Sequence, residues 1–175
     1  MCHFKTDFQK KNMENTINSI FKNKVDENTT VLLSGAIDSQ RILVFLWTTM
    51  TYSLQVSKLI KGRAGGACAL LKGSNGENLI AITGGASAGI EAWNPLDGSV
   101  KILNSTFPLA NGYGPQMIAI KGNTELVLFE SCTSIGDPKG IWKFSQVTNA
   151  WTKIGEMLTS RSKFSALPVE GVSCS

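Results

Sequence analysis

Three segments of this chain repeat one another in a fixed register. Residues 65–73 read Gly-Gly-Ala-Cys-Ala-Leu-Leu-Lys-Gly, residues 114–122 read Gly-Pro-Gln-Met-Ile-Ala-Ile-Lys-Gly, and residues 163–171 read Lys-Phe-Ser-Ala-Leu-Pro-Val-Glu-Gly. Each is a short apolar run that closes on a charged residue and a glycine. The closing glycines, Gly73, Gly122 and Gly171, fall 49 residues apart. Upstream, Arg63 and Arg161 are separated by two periods, with Gly112 midway. A period of this length means that one supersecondary unit recurs along the chain, and that a single unit cannot bury its apolar faces alone.

Within a period the pattern is four short strands. In the second unit residues 67–71 form the first, and Gly73-Ser74-Asn75-Gly76 supplies a hairpin turn rich in residues that tolerate positive φ. Residues 79–83 are a continuous apolar run, the composition of a strand buried on both faces. Residues 90–93 and 100–103 complete the unit, separated by the turn Asn94-Pro95-Leu96-Asp97-Gly98. The third unit repeats the order at 117–120, 126–129, 141–144 and 151–154. An earlier unit is visible in part, with residues 31–35, 42–47 and 52–56 matching the second, third and fourth strands. Four strands in about 50 residues is the signature of a propeller blade. The fold expected is therefore all-β, a β-propeller segment with about two complete four-stranded blades and partial blades at both ends.

Residues 29–175 resemble kelch repeats. The resemblance rests on Gly84-Gly85 after the second strand, on Trp93-Asn94-Pro95 on the third, and on Trp142 and Trp151 followed by Arg161. The pattern is degenerate elsewhere: the glycine pair is Ser34-Gly35 in the first unit and Glu130-Ser131 in the third, and Tyr52 answers to Val100 on the fourth strand. The resemblance implies a radial kelch-type β-propeller whose loops bind another protein, as an adaptor or a cytoskeletal contact. Closed propellers hold about four to eight blades, so this chain is expected to need more blades in cis, or self-assembly, to close.

Residues 1–28 break the repeat. Met13, Ile17, Ile20 and Phe21 are spaced for a short amphipathic helix, and the alternative is a polar tail. No apolar run approaches the roughly 20 residues of a membrane span, and the N-terminus lacks the apolar core of a signal peptide. A cytosolic protein, or one whose true N-terminus lies upstream, fits these features. The net charge of +4 is concentrated in residues 1–24, and no basic stripe interleaved with aromatics runs through the body, so nucleic acid is not the expected partner. Cys2, Cys68, Cys132 and Cys174 lie far apart without a CxxC pair, which argues against zinc and leaves isolated, mostly buried thiols as the expectation. The sequons at Asn28 and Asn104 would matter only in a secreted protein.

The kelch resemblance also singles out Arg63 and Arg161, because arginines at this entry position lie near the channel mouth and in some members grip acidic peptides. A guanidinium meets a carboxylate with two parallel bonds. The alternative role is to bond backbone carbonyls between blades. Trp93, Trp142 and Trp151 read as core, since large aromatics bury the most area. No catalytic residue, cofactor site or metal site is expected: the sole histidine is His3, so no histidine triad forms in the body. Glu91, Asp97 and Asp137 read as turn or solvated carboxylates. With Tyr52 and Tyr113 as the only tyrosines, the copper site of some kelch oxidases has no material here. The competing function is a fragment of a propeller enzyme or glycan-binding protein whose site lies in other blades.

Overall fold

The computed structural model describes residues 5–7, 26–33, 40–46, 49–63, 65–85, 89–104, 106, 114–131, 139–161 and 164–168. Every regular element among them is a strand. Twelve strands form three sheets of four, and each sheet is an antiparallel meander of consecutive strands. The first sheet holds β1 (Lys5–Asp7), β2 (Asp26–Leu33), β3 (Arg41–Leu46) and β4 (Thr51–Lys58). The second holds β5 (Gly66–Lys72), β6 (Asn78–Gly84), β7 (Ile90–Trp93) and β8 (Val100–Asn104). The third holds β9 (Gln116–Ile120), β10 (Glu125–Phe129), β11 (Gly140–Ser145) and β12 (Ala150–Glu156). The four strands expected in each 49-residue unit are thus the four strands of one sheet.

The segment expected to be a tail contributes to the first sheet. Lys5 pairs with Thr30 and Thr6 with Thr29, so β1 adds a strand to the edge of β2. Met13, Ile17, Ile20 and Phe21 lie outside the described residues. Asn28 falls in β2 and Asn104 is the last residue of β8.

The second sheet is buried on both faces, and β6 shows why its sequence is a continuous apolar run rather than an alternating one. Side chains on a strand point alternately to opposite faces. Ile80 and Ile82 join Cys68 and Trp93 against Ile42, Val44 and Leu59, which packs the second sheet on the first. Leu79 and Ala81 join Ala67, Ala69 and Ala92 against Met117, Leu126, Leu128 and Phe144, which packs it on the third. Small alanines facing large side chains let the two sheets approach closely. Fully burying an aliphatic or aromatic side chain contributes about 1.5–3 kcal/mol, so the two interfaces hold the sheets as a stack.

Two backbone hydrogen bonds join the second and third sheets at their first strands. The Gly114 N–H donates to the Gly65 carbonyl at 2.6 Å, and the Lys72 N–H donates to the Asn123 carbonyl at 2.7 Å. These bonds set β5 and β9 side by side and pointing the same way. The hairpin turns then gather at one end of the stack, and the connections between sheets gather at the other.

At the hairpin end, Glu125 lies between two lysines, with Lys121 Nζ 3.0 Å from Oε1 and Lys143 Nζ 3.7 Å from Oε2. The hydrogen bond from Lys121 is the larger cause that holds its carboxyl below the ordinary glutamate value. A depressed folded pKa stabilises the fold above the unfolded pKa, and that contribution disappears as pH falls through the folded value. An NMR titration should place the Glu125 midpoint below that of an unstructured glutamate, and Lys121→Gln should raise it.

Cys68 departs from the expectation of isolated thiols. It is buried, and it is disulfide-bonded. Cys2, Cys132 and Cys174 lie outside the described residues. Sequence spacing reports nothing about which cysteines a stack of sheets brings together, which is why the bond was not visible in the chain.

Candidate functional site

A cavity of about 490 Å³ opens beside β5 and β9. Its walls come from residues 67–70 of β5, 116–119 of β9 and 165–168 beyond β12, with Gly66 and Asn123 at the margins. These three wall segments occupy the same positions in successive 49-residue periods. Ala67, Gln116 and Ser165 are equivalent, as are Leu70, Ala119 and Pro168. The repeat in the sequence is therefore a repeat in space around one cavity. Among the described residues, no Asp, Glu, Lys, Arg or His contributes to its lining, and Cys68 is already bonded.

The connection between the first and second sheets is fixed from both sides. On the first sheet, Gln40 accepts the Leu59 N–H at its carbonyl at 2.8 Å, and its Nε2 donates to the Ile60 carbonyl at 2.7 Å. On the second, the Glu91 carboxylate receives four bonds. Ile60 N–H reaches Oε2 at 2.6 Å, while Lys61 N–H at 3.2 Å and Arg63 Nε and Nη2 at 3.1 and 2.9 Å all reach Oε1. Arg63 Nη1 donates to the Gly84 carbonyl at 2.9 Å. Both side chains of this ion pair are 2% exposed.

Arg63 and Arg161 therefore differ in what they can do. Arg63 is buried, and its guanidinium bonds the Glu91 carboxylate and the Gly84 carbonyl within the chain. Arg161 is exposed at the same end of the stack. Glu91 is a correction: it was expected to be a solvated strand-end carboxylate and is 1% exposed. Burial of a carboxylate is sustained here because a cation and two backbone N–H groups meet it. With its oxygens engaged and shielded, Glu91 is an anchor rather than a general base. Asp97 does sit in a turn, where Oδ1 accepts the Ser99 N–H at 2.8 Å. Asp137 lies outside the described residues.

The third sheet solves the same structural problem with other residues. By strand pairing, Glu130 follows Phe129 as Gly84 follows Thr83, and Trp142, opposite Leu128, stands where Glu91 stands opposite Ile82. Glu130 accepts the Gly140 N–H at 2.6 Å and Trp142 Nε1–H at 2.7 Å. A Cβ on Gly140 would lie 2.7 Å from the Glu130 carboxyl carbon, so glycine is needed for that approach. Gly84 and Gly85 have φ of 79° and 73°, a sharp left-handed exit that Glu130-Ser131 does not copy. Trp93 is fully buried, and Trp142 and Trp151 are half-buried against the core shared by the second and third sheets, as expected. Among the described residues no three His, Cys, Asp or Glu side chains are grouped to hold a metal ion. No helix among them is long and apolar enough to cross a membrane.

Glu91 was missed by sequence reasoning, yet a signal existed. In the 49-residue register the third unit lacks both members of the pair, with Gly112 in place of Arg63 and Gly140 in place of Glu91. A cation and a carboxylate that disappear together mark an ion pair. Compared with known proteins, the chain matches no family model, and no curated protein is significantly similar to it.

Proposed function

We propose that this chain is part of a kelch-type β-propeller and acts as a protein-binding scaffold. The observation that carries the propeller reading is the cavity whose three walls are equivalent positions of one repeat. Meanders stacked face to face, with their first strands around a common cavity, are the arrangement a radial fold requires. The first strands are innermost, so partners meet the connections at the ends of the sheets.

The end that holds the connections between sheets is the better binding surface. Ile60 and Leu158 occupy equivalent positions two periods apart, in the connections that follow β4 and β12. Both are exposed large apolar residues, Leu158 at 99%. Arg161 follows Leu158 by three residues and is also exposed. Aliphatic anchors beside a guanidinium suit a partner segment that carries apolar and acidic residues together. Loops positioned by a rigid scaffold are where binding residues concentrate.

The test is affinity capture with the chain and with the double variant Leu158→Asp/Arg161→Glu. Partners held by this surface should be lost at least about tenfold, roughly 1.4 kcal/mol, while circular dichroism and thermal midpoint stay unchanged. Equal capture by both proteins would place the binding elsewhere or remove the reading.

A further inference from the structure

We infer that Glu91 is a positioning residue for the partner surface: it presets Ile60 and Lys61 to receive a segment in which an aliphatic side chain neighbours a carboxylate. The inference rests on the scaffold reading and deepens it, by naming what holds the connection after β4 in shape and what that connection takes.

The backbone on both sides of Ile60 is held by side chains. The Glu91 carboxylate accepts the Ile60 N–H at 2.6 Å and the Lys61 N–H at 3.2 Å, and Gln40 Nε2 donates to the Ile60 carbonyl at 2.7 Å. The Leu59 N–H donates to the Gln40 carbonyl at 2.8 Å. Leu59 is 1% exposed and anchors the connection in the core between the first and second sheets. Ile60, one residue on, is clamped at both of its peptide groups, yet its side chain is 43% exposed. The clamp therefore keeps an aliphatic side chain in solvent in a fixed place. Ordering backbone and side chains at an interface costs free energy on association, and a segment already held in shape avoids that cost.

Charge names the chemistry of the partner. Lys58 and Lys61 are exposed on either side of Ile60, and Arg41, also exposed, pairs with Lys58 across β3 and β4. Cations gathered around an aliphatic favour a carboxylate beside an apolar side chain on the partner. The combination returns two periods later as Leu158 with Arg161. The backbone bond beneath it returns as well: the Met157 N–H donates to the Lys139 carbonyl at 2.7 Å, and Lys139 and Gln40 each precede the third strand of their sheet. The same presentation is thus built twice at one end of the stack.

The test is an NMR titration of the whole chain with capped hexapeptides. One pool alternates Leu with Asp or Glu, a second has Ser in place of Leu, and a third has Gln in place of the acids. Phosphatidylcholine vesicles with and without phosphatidylserine are the fourth probe. The first pool should shift the amides of Ile60 and Lys61, with the second and third at least about tenfold weaker. Ile60→Ser should weaken the first pool by a similar factor, and Val147→Ser, in the exposed turn between β11 and β12, should not. Arg63→Met/Glu91→Leu separates positioning from stability. It should recover much of the stability that either single change loses. Its Ile60 and Lys61 amides should nevertheless exchange faster, and it should bind the first pool about tenfold more weakly. Gln40→Ala removes the side-chain bond to the Ile60 carbonyl from outside the ion pair, and should weaken the same pool about threefold. The inference is overturned if either of these two variants binds the first pool like the parent. It also falls if no pool moves the two amides at millimolar concentration, or if anionic vesicles alone do so. Capture by Leu158→Asp/Arg161→Glu is read separately. If that variant loses its partners while Arg63→Met/Glu91→Leu binds like the parent, the scaffold reading stands and this inference falls.

Discussion

Arg63→Ala should destabilise the protein by about 3–5 kcal/mol, the cost of leaving one member of a buried ion pair unmatched. Removing the guanidinium leaves the Glu91 carboxylate 1% exposed, with only the N–H groups of Ile60 and Lys61 to meet its charge. The Gly84 carbonyl loses its bond from Nη1 as well. Glu91→Gln should cost somewhat less, because a neutral amide still accepts from the connection. The double replacement Arg63→Met/Glu91→Leu should recover much of the loss, since apolar side chains of similar volume often replace a buried ion pair at little cost. Arg161→Ala, at the equivalent but exposed position, should stay within about 0.5 kcal/mol of the parent. Urea unfolding midpoints at constant m-value measure all four. An Arg63→Ala protein as stable as Arg161→Ala would show that the pair does not form.

Trp93→Ala and Phe144→Ala should each cost about 3–5 kcal/mol, the range for deleting a buried aromatic. Their value lies in where the damage appears. Trp93 pairs with Ile80 and is buried in the cluster that joins the first and second sheets. Phe144 pairs with Leu126, lies 5.3 Å from Trp151 between ring centroids, and is buried in the cluster that joins the second and third. By strand pairing the two residues hold matching places in the second and third sheets. Hydrogen exchange should therefore rise in β3 and β7 for Trp93→Ala, and in β10 and β11 for Phe144→Ala. Equal loosening of all three sheets by either variant would mean that the interfaces are not separate.

The strands were legible because their period in the chain is the period of the sheets. The apolar run of β6 announced a strand covered on both faces, and clusters from two neighbouring sheets do cover it. The hairpin turns followed from Gly76 and Asn149, both of which adopt positive φ. Other features depend on long-range geometry that a strand pattern does not encode. Lys5–Asp7 carries no repeat signal and enters a sheet by pairing alone. Cys68 has no sequence neighbour that marks it for a disulfide. Glu91 sits at a strand end, where a carboxylate is ordinarily solvated, and only the chain path through Ile60, Lys61 and Arg63 buries it. Arg63 and Arg161 look alike in register, but one has a carboxylate across from it and the other faces solvent.

The central claim is that successive units stand side by side around a common cavity, joined at their first strands. Scalar couplings across hydrogen bonds test it most directly, because they register a bond only when donor and acceptor share it. Couplings should be seen from the Gly114 amide nitrogen to the Gly65 carbonyl carbon, and from the Lys72 amide nitrogen to the Asn123 carbonyl carbon. If both amides exchange at unstructured rates, or couple to other carbonyls, β5 and β9 are not neighbours and the stack is wrong.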